Sequence, residues 1–384
     1  MDILFAAGLA LLLLAGYWRD WARLYRLPRL GPPASPLAQA PLVSILIPAR
    51  NEERGIARCV SGALAQRYPT YELIVVDDGS TDRTAAILAD VSSAQLRVLR
   101  GRPLPPNWVG KCNACQQLGE AARGEWLLFL DADTVPHPDL VAALVTYAQQ
   151  RSLDLVTILP FLELGTFWER AVLPPFLALI ASLYPFAQFE QPESRPEQVM
   201  ANGQCILVRR VAYEAIGGHA AVSTEVLEDV RLAQALRRAG YRVGGGEALD
   251  YLRVRMYTSG REVVAGLTKN AAAGYRSGGG RSLVAALRLL ALAYGPLCLL
   301  GWGVVALALG AGGPGWALVG LGAFTLTAGL AAWGALYRRM YRLNPLYGLI
   351  WPFGLMAYLW IALWGMWCVR SGRGVVWKGR TYIG

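Results

Sequence analysis

Asp131 and Asp133 stand one residue apart in Leu130-Asp131-Ala132-Asp133-Thr134, directly behind the apolar run Trp126–Leu130. Two carboxylates at the end of a buried strand offer oxygen ligands to a hard divalent cation, which often brings phosphates with it. Open α/β sheets bind their ligands at that carboxyl edge. Two further acidic pairs occupy comparable places. Asp77-Asp78 ends the apolar stretch 71–76, and Glu228-Asp229 opens a segment whose Leu232, Ala233 and Leu236 recur at helical spacing. Taken singly, each pair has an ordinary explanation. Strand-end aspartates cap helices, and Asp229 suits the first turn of a helix. Three such pairs at the edges of one sheet are harder to account for in that way.

The elements that must position them alternate. Residues 43–47 read as a buried strand ending at Pro48-Ala49-Arg50-Asn51-Glu52, and Ile56, Val60, Ala63 and Leu64 mark a helix behind it. A strand over 71–76 leads to Ser80, Thr81 and Asp82, which can cap a helix carrying Ile87, Leu88 and Val91. A strand over 96–99, a helix over 110–122 and the strand Trp126–Leu130 follow, then strands over 155–159 and 205–208 and a helix over 229–239 that Gly240 ends. This alternation predicts an α/β fold with a parallel sheet covered by helices on both faces.

The remainder of the chain is too apolar for an ordinary soluble domain. Hydrophobic residues make up 54% of the 384 residues and mean hydropathy is +0.33. The excess lies at 3–18 and 289–369. Residues 3–18 are followed by Arg19, Arg23, Arg26 and Arg29 and by no small-residue cleavage site, so they read as an uncleaved anchor with the next segment cytoplasmic. Residues 289–309 and 316–337, joined by a glycine-rich turn, read as a transmembrane hairpin that Arg338, Arg339 and Arg342 return to the cytoplasm. Residues 346–369 either cross again, against the charge rule, or dip in and return at Trp351-Pro352-Phe353-Gly354. The stretch 171–189 contains Pro174, Pro175 and Pro185, and reads as an interfacial helix or a buried loop. The net charge of +10 admits nucleic acid as a partner. Its arginines flank apolar segments, however, which suits anionic headgroups and argues for a bilayer and no nucleic acid. Cys112 and Cys115 form a lone C-x-x-C, better explained as core-facing helix positions than as a zinc or redox pair.

Four motifs now stand together: 43-VSILIPARNE-52, 76-VDDGSTD-82, Asp131-Ala132-Asp133 and Leu227-Glu228-Asp229. In combination they resemble the family 2 glycosyltransferases of the GT-A fold, over roughly residues 41–280. Pro106-Asn107-Trp108-Val109-Gly110-Lys111, Arg255-Met256-Tyr257, Lys269-Asn270 and the tail 377–382 resemble the membrane-attached hopanoid-associated, carotenoid and ceramide types. The resemblance implies a Rossmann-like, mostly parallel GT-A domain in the cytoplasm, on a multi-pass cell-membrane protein. It implies an anchor at 1–20, a basic, proline-rich linker at 21–40, the catalytic domain at 41–280, a transmembrane region at 281–369 and a basic tail at 370–384. Ala49, Arg50 and Glu52, with Asp77 or Asp78, would hold the nucleotide of a UDP-sugar. Asp131 would contact ribose or metal, Asp133 would bind Mg²⁺ or Mn²⁺, and Lys111 would add charge near the diphosphate. Asn202-Gly203 and Gly217-Gly218-His219 would shape the sugar and acceptor pocket. Asp229 would be the general base in an inverting transfer of a hexose to the hydroxyl of a membrane lipid, with Glu228 orienting the site. His219 suits a structural role as well as a catalytic one.

The Gln-x-x-Arg-Trp motif of processive family members has no counterpart, because the chain contains no Arg-Trp dipeptide. Arg255, Lys269 and Arg380 are candidates for the missing diphosphate clamp. Two alternatives accompany the leading one: a polyprenyl-phosphate sugar synthase, and a non-catalytic membrane scaffold with a degenerate transferase domain.

Overall fold

The computed structural model describes residues 2–33, 40–191, 193–377 and 380–382, with side chains except at 2, 275–279, 376–377 and 380–382. Lys378 and the Arg380 side chain, named above in the tail, lie outside the described residues.

The strands are β1 (Val43–Ala49), β2 (Tyr71–Asp77), β3 (Leu96–Arg100), β4 (Trp126–Leu130), β5 (Thr134–Pro136), β6 (Leu155–Leu159), β7 (Phe161–Leu162), β8 (Cys205–Arg209), β9 (Val243–Glu247) and β10 (Leu252–Val254). Seven of them form one sheet in the order β3-β2-β1-β4-β8-β6-β9, and β5-β10-β7 form a small second sheet. Side chains alternate across the large sheet as the two-residue strand period requires. Ile45, Ile47, Leu73, Val75, Leu128 and Leu130 pack into one core, and Leu46, Ile74, Val76, Leu127 and Phe129 into the other. The covering helices include α2 (Ile56–Leu64), α3 (Thr84–Ala89), α4 (Gly110–Ala121), α5 (Leu140–Arg151), α7 (Arg210–Ala215) and α8 (Glu228–Arg238).

The sheet is mostly parallel, as expected, with one reversal: β8 runs antiparallel to both β4 and β6. Its chain arrives from the membrane-facing helix α6 (Phe167–Leu183) and starts at the carboxyl edge of the sheet. The reversal brings Asn202-Gly203-Gln204 to the end of β4, where the Asp131 amide donates to the Gln204 carbonyl at 3.4 Å. Strand β9 was not anticipated, because Val-Gly-Gly-Gly-Glu has no strand signature. Its glycines answer to close neighbours. A Cβ on Gly245 would stand 2.2 Å from the Thr157 carbonyl oxygen, and one on Gly246 2.4 Å from that of Pro28. The linker lies along this edge, with Leu30 and Glu247 exchanging backbone bonds with Glu247 and Pro28 at 2.9 and 2.8 Å. Buried Glu247 then takes Arg29 at 2.6 Å and Arg339 at 2.9 Å, tying linker and membrane helices to the sheet.

Five helices are long and apolar enough to cross a membrane among the described residues. They belong to α1 (Asp2–Tyr25), the α6 segment, the distal part of α9 (Gly260–Ala308), α10 (Gly312–Tyr341) and α11 (Trp351–Arg370). Helix α9 continues through Gly278-Gly279-Gly280, where the sequence pattern placed a boundary at 280. The glycine penalty, about 1 kcal/mol each, is offset by packing on both sides. Thr268 and Ala272 meet α11 at Gly365, while Leu289 and Leu292 join the core shared with α1.

Helices α1, α9 and α10 share a far end, where Phe5 meets Trp302 and Leu307 covers Gly315. Helices α6 and α11 do not run there. Helix α6 leaves β7 through a Thr166–Glu169 capping box and returns through Phe186, which is buried in the sheet's core. In α11, Trp351 stacks on Trp333 of α10 at 4.1 Å, and Cys368 packs with Ala272 and Val375. Helix α11 thus runs along α9, from Pro352, whose carbonyl accepts from the Tyr294 hydroxyl at 3.0 Å, to Gly365, which meets Thr268.

Candidate active site

The carboxyl ends of β1, β2 and β4, the start of β8 and the first turn of α8 converge on one cavity of about 1430 Å³. Ala49, Arg50, Glu52, Asp78, Lys111, Asp131, Asp133, Asn202, Gly203, Glu228 and Asp229 all lie on its wall.

The first two loops are bound to each other. Arg50 Nη1 donates to the carbonyls of Asp78 and Gly79 at 2.5 and 3.2 Å, and the Asn51 amide donates to Ser80 Oγ at 3.0 Å. Asn51 adopts a left-handed φ of 54°, and its Oδ1 accepts from the Thr81 amide at 2.8 Å. Asp78 is buried against the cavity, whereas Asp77 Oδ1 accepts from the Ser80 amide at 3.0 Å and shapes the turn. Of the two candidates on that loop, Asp78 is the one on the cavity wall.

Lys111, in the first turn of α4, is the electrostatic centre of the site. Its Nζ lies 2.7 Å from Asp131 Oδ1 and 3.0 Å from Glu228 Oε1. Burial alone pulls an ammonium's pKa down, but Asp131 and Glu228 outweigh it and hold Lys111 well above the ordinary lysine range. Glu228 is buried and supports Lys111 rather than facing a substrate proton. Asp229 Oδ2 accepts from the Gly203 amide at 2.7 Å and Oδ1 from the Val230 amide at 2.8 Å. Burial first, then the neighbouring Glu228, raises its pKa to about 6, against the opposing pull of Lys111 and the two amides. Glycine at 203 permits this approach without displacement, since a Cβ there would stand 3.0 Å from both Asp229 Oδ2 and Lys111 Nζ. The Asp131–Asp133 loop is approached equally closely, with Gly55 leaving room for the Ala132 carbonyl oxygen at 2.9 Å from a built Cβ.

No group of three or more His, Cys, Asp or Glu side chains suited to hold a metal occurs among the described residues. The chain offers an oxygen pair, Asp131 and Asp133, with one Asp131 oxygen already facing Lys111. That donor set fits Mg²⁺ or Mn²⁺, which keep waters and complete their shells with substrate phosphates rather than an all-protein cage.

The remaining candidates are placed elsewhere. Arg255 stands 3.8 Å from Glu169 at the start of α6, so it braces that helix and is not on the cavity wall. His219 is buried, within 2.8 Å of the Tyr213 hydroxyl and edge-on to Phe129, and burial pushes its pKa down to about 3. It is a core residue. Cys112 and Cys115 are buried on α4, as their spacing suggested. Lys269, by contrast, does reach the cavity, together with Tyr257 and Asn270, and burial lowers its pKa.

Sequence reasoning missed the other half of the cavity. It continues past Tyr184 between α6, α9 and α11, along Leu179, Leu283, Ala286, Leu287, Leu290, Leu359 and Leu363. Arg231, Arg281, Asp20 and Arg23 also face it. The sequence signals were the apolar stretch 171–189, which reads as interfacial, and the arginines at the ends of apolar runs.

Comparison with known proteins agrees with this geometry. The glycosyl transferase family 2 model matches residues 44–217. The chain is 27% identical over 238 residues to the 4,4'-diaponeurosporenoate glycosyltransferase of Staphylococcus haemolyticus, covering 61% of this chain and 62% of that one. It is 28% identical over 235 residues to the enzyme of the same name from Staphylococcus aureus, covering 60% and 61%. The match thus spans about three-fifths of the length of these relatives. In three dimensions the chain is similar to the mannosyltransferase PcManGT from Pyrobaculum calidifontis, solved with GDP-Man and Mn²⁺. The TM-score is 0.55 at 18% identity, covering 96% of this chain and 99% of that one. With its paired aspartates at the end of β4 and its acidic first turn on α8, this chain matches the glycosyl transferase family 2 model over residues 44–217 and has a GT-A fold flanked by apolar helices.

Proposed function

We propose that the protein is a membrane-bound inverting glycosyltransferase, with its catalytic domain cytoplasmic, that moves a hexose from a UDP-sugar to the hydroxyl of a membrane lipid. The observation that carries this reading is the continuity of the cavity. One space runs from Asp131, Asp133, Lys111 and Asp229 to a wall of leucines on helices of membrane-spanning length. A soluble acceptor has no use for such a wall. The named relatives, which act on a carotenoid acid by their printed name, are consistent with an apolar acceptor.

In this reading Arg50 and Asp78 frame the nucleotide, and Asp133 with Asp131 holds the cation. Bound there, Mn²⁺ or Mg²⁺ would neutralise charge on the departing diphosphate. Lys111 and Lys269 add fixed positive charge to the same region. Asp229 takes the proton from the acceptor hydroxyl as that oxygen bonds to the anomeric carbon and the bond to the diphosphate breaks. Its raised pKa suits this work: at neutral pH it is ionised, yet a stronger base than an ordinary carboxylate. The amides of Gly203 and Val230 fix its orientation. One displacement of this kind inverts the anomeric centre.

The test is transfer from a panel of radiolabelled nucleotide sugars to extracted membrane lipids, with manganese. The expected result is lipid-borne label that Asp133→Ala abolishes. No label from any donor, or equal label with Asp133→Ala, overturns the reading. A polyprenyl-phosphate acceptor would show itself through Asp229→Asn, because an ionised phosphate needs no base and would lose little rate.

A further inference from the structure

The cavity has a second polar station, remote from the carboxylates. Asp20 and Arg23 on α1 and Ser182 on α6 line it, and Arg288 on α9 reaches it from behind. Arg288 donates to the Asp20 carboxylate, to Ser182 Oγ at 3.3 Å and to the Gly16 carbonyl at 3.5 Å. Arg23 has no such set. Its Nη1 is buried and makes no hydrogen bond among the described residues. The charged groups around it are Arg19, Asp20 and Arg288. Positive charge therefore exceeds negative charge around Arg23, and Arg288 already holds the Asp20 carboxylate. Tyr17, Trp21, Leu24, Leu287 and Leu290 make the neighbouring wall. A guanidinium nitrogen buried without a partner beside apolar side chains is unfavourable until an anion completes it.

Basic pockets between membrane helices on the cytoplasmic side are suited to anionic headgroups. We propose that Arg23, with Arg288 and Ser182, forms a second, non-catalytic site that binds the phosphate headgroup of an anionic phospholipid, its acyl chains lying along α1 and α9. The site rests on the membrane placement proposed above and is independent of the chemistry at Asp229. A bilayer lipid held there would line the path by which an apolar acceptor reaches the carboxylates.

The test uses the full chain in phosphatidylcholine nanodiscs, titrated with phosphatidylglycerol and followed by thermal unfolding, with stabilisation by UDP and Mn²⁺ recorded alongside. Phosphatidylglycerol is expected to raise the midpoint where added phosphatidylcholine does not. Arg23→Gln is expected to weaken that response about fivefold, the equivalent of roughly 1 kcal/mol per basic residue at a bilayer, while the UDP–Mn²⁺ response stays intact. Arg19→Gln removes the same charge from an exposed position on the same helix, and is expected to leave the response unchanged. Should Arg23→Gln not fold, Arg23→Lys carries the test, because it keeps the charge and loses the planar fork. Equal effects of the two lipids, equal losses in the Arg19 and Arg23 variants, an unchanged response in Arg23→Lys, or the same shift from inorganic phosphate alone would each overturn the assignment. Loss of the UDP–Mn²⁺ response with lipid selectivity retained would count against the transferase reading and leave this site standing.

Discussion

The two ends of the cavity are built by different means. At the polar end, positions are set by short-range backbone contacts: the Gly203 and Val230 amides on Asp229, the Asp78 carbonyl on Arg50, and Lys111 between two carboxylates. At the apolar end, the walls come from α6, α9 and α11, which are far apart in sequence, and only packing sets their spacing. Chemistry at the first end is sensitive to errors of tenths of an ångström. The second end need only exclude water and admit a chain.

Substitutions should separate the ends. The largest effect is expected from Asp229→Asn, a fall of about 10²–10⁴ in transfer rate, with UDP-sugar affinity unchanged, read by single-turnover transfer and donor titration. Asp133→Ala is expected to abolish stabilisation by UDP with Mn²⁺, as is chelation of the metal. For the intact protein that stabilisation is worth about 2.7 kcal/mol at a hundredfold excess over Kd, and thermal unfolding reads it. The pH profile comes next. The base must be ionised and its pKa is raised to about 6. Transfer should therefore be flat above that value and fall about tenfold per pH unit well below it. A rate still flat at pH 4.5 would remove Asp229 from that role.

Smaller effects should differ in kind between the ends. A Cβ at Gly354 would stand 1.7 Å from the Ala171 carbonyl oxygen, where α11 crosses α6. Gly354→Val should cost roughly 1–3 kcal/mol of stability through overpacking, read by denaturation. The donor-site residues themselves are untouched by that change. Gly203→Ala should displace Asp229 and Lys111 by tenths of an ångström, lowering rate with little change in the melting midpoint.

This difference also decides what was legible in the sequence. Strands β1, β2, β4 and β6 announced themselves as apolar runs, and acidic pairs marked the ends of β2 and β4. Asp131, Asp133, Lys111 and Asp229 could be placed because the carboxyl edge of an α/β sheet is a local consequence of strand direction. Strand β9 escaped because its glycines serve the Pro28 and Thr157 carbonyls, not strand propensity. Arg255 looked like a phosphate ligand, but it stands 3.8 Å from Glu169 and does not line the cavity. The sequence could not show that α9 continues through three glycines, or that α11 packs back along α9 and against α10. Both depend on contacts such as Thr268 with Gly365 and Trp333 with Trp351. Arg23 read as one more flanking arginine until its position on the cavity wall was known.

The central claim, that an apolar acceptor reaches Asp229 through the leucine-lined end, is most directly tested by filling that end alone. Ala286 lies on its wall, distant in sequence from every donor-binding residue. In Ala286→Phe, the kcat/KM for lipid glycosylation should fall about tenfold or more, a loss of roughly 1.4 kcal/mol of transition-state stabilisation. Release of UDP with water as the acceptor should be unchanged. Equal losses in both reactions, or no loss in either, would contradict the account.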